Sequence, residues 1–153
     1  MDLITLEELR RLKYRYLRAL DLKLWDEFAD TLAPDATAKY GERLTFSSRD
    51  EIVRYMSETV GRGIITVHHC HHPELEVDGD RATGRWALED TVIVTDHRLV
   101  LRGAAFYEDR YVRTDGVWRI QHTGYDRLYE AMISLDDLPS FTLTANLWAA
   151  PTS

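Results

Sequence analysis

Residues 64–94 read IITVHHCHHPELEVDGDRATGRWALEDTVIV, and this stretch decides the fold. Two long runs of apolar and β-branched residues at period two flank Asp78-Gly79, the pattern of a β-hairpin with a tight turn. Asp115-Gly116 repeats the signal further along, and the polar run Thr95-Asp96-His97-Arg98 lies between the two. These turns divide residues 64–128 into four strands, each roughly ten residues or longer. Long antiparallel strands joined by tight turns form a strongly curved meander rather than a flat sheet.

The part before residue 64 is read on a different period. Thr5 and Glu8 fit a capping box, with Ile4 and Leu9 at the staple positions, and Leu6, Leu9, Tyr16 and Leu20 then recur at helical spacing. Trp25, Phe28 and Leu32 give a second helical pattern, closed by Pro34. A short strand follows around ATAKY. Ser48 and Glu51 open a third helix, which Gly61 and Gly63 stop. The expectation is an α+β domain: three N-terminal helices packed on one face of a strongly curved, mostly antiparallel sheet. Such a cone has an interior, and a small-molecule site belongs there.

With 153 residues the chain has the length of one domain, 1–153, and enough of it to bury a real core. It carries 19 basic and 26 acidic residues, for a net charge of −7, with no Lys/Arg run, which argues against nucleic acid or an anionic membrane as partner. No apolar stretch reaches spanning length and no signal peptide is visible at the N-terminus. The single cysteine, Cys70, cannot form an internal disulfide and fits a reducing cytoplasm. The segment 129–153, with Phe141, Leu143, Leu147 and Trp148, is too apolar for a free tail; it is expected to cover the pocket mouth or an interface.

His68, His69, His71 and His72 surround Cys70. A transition-metal site needs three or four convergent ligands, and alternation in a strand splits this cluster between two faces, so no metal is assigned. A catalytic base is the stronger reading, because an imidazole held by a carboxylate is a standard proton acceptor. Asp21 directly follows the apolar stripe that ends at Leu20. It is either the N-cap of the Trp25 helix or the partner of an imidazole. Asp90 interrupts the apolar row Trp86, Leu88, Val92, Val94, a costly position unless it is paired or functional. His122 alternates with Trp118 and Ile120 and so is expected on an apolar side, while Arg127 follows the last strand.

The runs LKYRYLRALDLKLWDEFADTLAPDA (12–36), TVHHCHHPELEVDGDRATGRWALED (66–90) and FYEDRYVRTDGVWRIQHT (106–123) resemble the SnoaL-like branch of the nuclear transport factor 2-like superfamily. That branch includes scytalone dehydratase, bile acid 7α-dehydratase and hexachlorocyclohexane dehydrochlorinase. The resemblance implies a cofactor-independent lyase of the dehydratase type, with Asp21 and His68 as a catalytic dyad and Tyr16 as a third catalytic group. It places Asp90 and Arg127 among the substrate-binding residues, and Trp86 and His122 are added to them as pocket candidates. The implied substrate is a small hydrophobic cyclic molecule of steroid, polyketide or aromatic type, and the implied assembly is a homo-oligomer, dimer or trimer. The alternatives are an isomerase of the ketosteroid type and a non-catalytic ligand-binding or oligomerisation module. Strict alternation would put His69, with Val67, Leu75 and Val77, on the inner face; a bulge at Pro73 would reset the register in favour of His68.

Overall fold

Asp2, not Thr5, caps the first helix. In the computed structural model, which describes residues 2–151, helix α1 spans Leu3–Asp21. The Asp2 carboxylate accepts the Ile4 N–H at 3.0 Å and the Thr5 hydroxyl at 3.1 Å. The box expected at Thr5 and Glu8 is therefore displaced, because an aspartate three residues earlier is an equally good cap and takes the Thr5 hydroxyl as a donor. Ile4 is left exposed and makes no staple, whereas Leu9, Leu12, Tyr16 and Leu20 are buried.

Helix α2, Trp25–Asp30, is shorter than its pattern suggested. Thr31 ends it, its hydroxyl donating back to the Phe28 carbonyl at 2.6 Å. Leu32 and Pro34 belong instead to strand β1, Leu32–Tyr40, where Leu32 is as buried as a helical position would have made it. A three-residue strand β2, Leu44–Phe46, leads to helix α3, Arg49–Thr59. Ser48 caps α3 by accepting the Glu51 N–H at 3.2 Å, and Glu51 in return accepts the Ser47 N–H at 2.8 Å.

The meander then runs through β3 (Ile64–Asp78), β4 (Arg81–Val94), β5 (Leu99–Thr114) and β6 (Val117–Ser134). The last strand extends past the expected boundary, so Arg127 lies inside it. The final turn has Asp115 and Gly116 at φ +52° and +80°, the left-handed pair that a type I′ hairpin demands. The six strands form one sheet in the order β2-β1-β6-β5-β4-β3; only the β1–β6 pair is parallel. Curled around α1 to α3, the sheet makes the cone. Its inner face carries Trp86 and Leu88 from β4, Tyr107 and Tyr111 from β5, and Trp118 and Ile120 from β6, all buried in one core with residues of α1 and α2. Each such large apolar side chain contributes roughly 1.5–3 kcal/mol on burial. No helix among the described residues is long and apolar enough to cross a membrane.

Two of the meander's bulges decide how the candidate histidines face. In β3 the register with β4 shifts by one residue between His71 and Glu74, where His72 takes φ +30°. Thr66, His68 and Cys70 therefore share the inner face with Leu75 and Val77, and Val67, His69 and His71 point outward. In β6 the register with β5 shifts between Ile120 and His122, leaving Gln121 without a partner. That extra residue turns His122 to the outer face opposite exposed Arg110. The inward position expected for His122 is thus overturned by a single bulge residue.

Candidate active site

Asp21 is the last residue of α1, and β3 is an edge strand whose free side meets that helix end. The Asp21 carboxylate closes this contact with three bonds. Its Oδ2 accepts the His68 backbone N–H at 2.8 Å, and its Oδ1 accepts the Thr66 hydroxyl at 2.9 Å and the His68 ring at 2.6 Å through Nδ1. It does not cap α2, whose N-cap Leu24 receives no side-chain bond. A carboxylate can only accept, so the neutral form of the imidazole carries its proton on Nδ1 and has its lone pair on Nε2. The two side chains are 13% and 21% exposed, shielded but open to a small molecule. They line a groove of about 450 Å³ together with Tyr14, Leu17, Arg18, His69, Cys70 and His71.

Asp90 sits directly across from His68 in the β3–β4 ladder, on the same inner face. Its two oxygens accept both terminal nitrogens of Arg127, at 2.5 and 3.0 Å, and Arg127 Nε bonds Glu130 at 3.2 Å. The guanidinium lies over the Tyr125 ring, 5.0 Å from its centre. Gly103 makes room for it: a Cβ there would come within 2.5 Å of Arg127 and 3.0 Å of the Tyr129 carbonyl. Both Asp90 oxygens are taken up as acceptors of the Arg127 guanidinium.

The other sequence candidates are dispersed. Tyr16 is fully buried, its hydroxyl 2.6 Å from that of Tyr40. Burial holds both phenols well above their ordinary range, so they remain protonated. Trp86 lies in the inner wall and donates its Nε1–H to Tyr111 at 2.9 Å. His122 bonds Thr37 at 2.6 Å on the outer face, away from the dyad geometry. Sequence reading passed over Lys13 and Asp109, which form a wholly buried ion pair at 2.8 Å. Each interrupts an apolar inward row, the same signal that singled out Asp90.

The cone of three helices on a mostly antiparallel six-stranded sheet is that of nuclear transport factor 2-like proteins. The SnoaL-like domain model matches residues 1–124, and the chain belongs to this family. Among solved structures it is similar to a scytalone dehydratase-like protein from Novosphingobium aromaticivorans, at 18% identity and TM-score 0.78, over 94% of this chain and 92% of that one. It is also similar to a type 2 hexachlorocyclohexane dehydrochlorinase, LinA, at 19% identity and TM-score 0.79, over 86% and 90% of the two chains. An uncharacterized protein of Mycobacterium tuberculosis is 27% identical over 128 residues, 82% of this chain and 87% of its own.

Proposed function

We propose that the protein is a cofactor-independent lyase of the dehydratase type, in which His68 removes a carbon-bound proton from a hydrophobic cyclic β-hydroxy carbonyl compound. The observation that carries this reading is the hold of Asp21 on both the ring and the backbone of His68, which fixes ring position and tautomer together. In the proposed step Nε2 takes the proton α to the carbonyl, and the electron pair of that C–H bond becomes the enolate. Collapse of the enolate forms the C=C bond and breaks the β C–O bond. The departing hydroxide takes the proton back from the imidazolium and leaves as water, which restores His68. Asp21 stabilises the imidazolium while it exists. Asp90 serves by orienting Arg127 rather than as an acid, and Tyr16, fully buried against Tyr40 and absent from the groove wall, is given no proton-transfer role.

The similarity to dehydratase-like and dehydrochlorinase folds supports elimination over other uses of the same base. Self-association is part of the proposal: the outer face of the sheet exposes Val67, Phe106 and Tyr129, and light scattering on the purified protein measures it. The function is tested by incubating the protein in deuterated water with a panel of cyclic β-hydroxy ketones, following conjugated-enone absorption and deuterium at the α carbon. Elimination that disappears in His68→Ala is the expected result. Exchange or double-bond migration without loss of water would make it an isomerase. Binding with neither reaction would make it a ligand-binding module.

A further inference from the structure

Three side chains of α1 make polar bonds to the sheet among the described residues: Lys13, Tyr16 and Asp21. The first is the most deeply placed. Lys13 and Asp109 are both fully buried, and every polar atom of the pair is matched. Asp109 Oδ2 accepts the ammonium and the Tyr111 hydroxyl, each at 2.8 Å, and its Oδ1 accepts the Thr123 hydroxyl at 2.7 Å. The ammonium sits 3.5 Å from the centre of the Tyr107 ring and 4.7 Å from that of Tyr16. Tyr111 in turn accepts the Trp86 indole N–H. One lysine thereby ties α1 to β4, β5 and β6.

A buried ion pair is a poor source of stability, because desolvating two charges offsets most of their attraction; an apolar pair of the same shape often does better. What such a pair supplies is discrimination between packings. An apolar helix face can slide or turn on an apolar sheet at little cost, but an ammonium displaced from this cradle loses its compensating charge. Asp21 is eight residues beyond Lys13 on the same helix, about 12 Å along its axis, where a small shift of register would separate it from His68.

We infer that Lys13 and Asp109 are positioning residues for the candidate active site, setting the register of α1 so that Asp21 meets His68. The inference rests on the proton-abstraction reading for its effect on rate, but not for its effect on geometry. The test is the charge-free double variant Lys13→Met/Asp109→Asn, in which methionine keeps the stem over Tyr107 and asparagine keeps an acceptor for Thr123 or Tyr111. The folded variant is expected to show His68 ring ¹⁵N shifts moved from a single Nδ1–H tautomer toward a mixture. On any substrate turned over by the wild type, kcat is expected to fall by up to about 10²-fold with KM little changed, as for displaced catalytic groups. Unchanged ring shifts in the folded double variant would overturn the inference. If that variant does not fold, Thr123→Val removes the hydroxyl that donates to Asp109 and accepts from Lys13, and its His68 shifts decide the question in the same way. Should the wild type turn over nothing, the functional reading fails while the ring shifts still decide the positioning role.

Discussion

His68 and His122 look alike on local criteria and differ in everything that chemistry requires. Each lies in a long strand of the meander, and each has Nδ1 2.6 Å from an oxygen. For His68 that oxygen belongs to a carboxylate, which can only accept and so fixes the tautomer of the neutral ring. For His122 it belongs to the Thr37 hydroxyl, which can donate or accept and has no charge to offer. Burial and the neighbouring Arg110 push the His122 imidazole below its ordinary range. The contrast shows that a histidine is made into a candidate base by its partner and its face, and in this sheet both are set by single-residue bulges.

The largest effect that would break the comparison is on catalysis. His68→Ala should lower turnover of an accepted β-hydroxy ketone by roughly 10²–10⁴-fold, the usual worth of a positioned base. His122→Ala should leave turnover unchanged. Equal losses in the two variants would mean that the groove around His68 is not where the reaction occurs.

A smaller effect bears on the register of β3. Cys70 shares the inner face with His68, and burial pushes its thiol up to about 12. Because the thiolate is the reactive form, alkylation by iodoacetamide at pH 8 should be slow in the native protein and fast in urea. Fast native alkylation would indicate that the bulge at His72 is misplaced and that His69 is the inward residue.

The smallest effect concerns His122 alone. Its folded value lies below the ordinary 6.5, so the stability linked to its neutral form is complete above that value and is lost as pH falls through the lower folded one. Thermal unfolding of wild type and His122→Gln across pH 7 to 5 should show a slightly steeper decline in the wild type. Parallel curves would remove the assigned burial of the ring.

The alternation in residues 64–94 and the two Asp-Gly turns made the meander legible, because tight turns and period-two burial are local properties. The helix ends were less so: Asp2 and Thr5 are competing caps, and only the whole first turn decides between them. Asp90 was readable as a polar interruption of an apolar row, and Lys13 and Asp109 carry that same mark. The facing of His122 was not readable, since the bulge at Gln121 has no glycine or proline to announce it and depends on how β6 pairs with β5. The bulge beside His71 was readable because Pro73 cannot donate to a ladder.

Gly103 has a consequence beyond its own strand. The Asp90–Arg127 pair occupies a volume that exists only because β5 gives up one side chain at that point. A relative could keep both charged residues and still be unable to form the pair if it carried alanine there. The methyl would meet a guanidinium already fixed by Asp90 and crowd the Tyr129 carbonyl at 3.0 Å. In comparing members of the family, this absent atom therefore belongs to the signature of the pair as much as the two charges do, and it tells apart chains that possess the residues from chains that can bring them together.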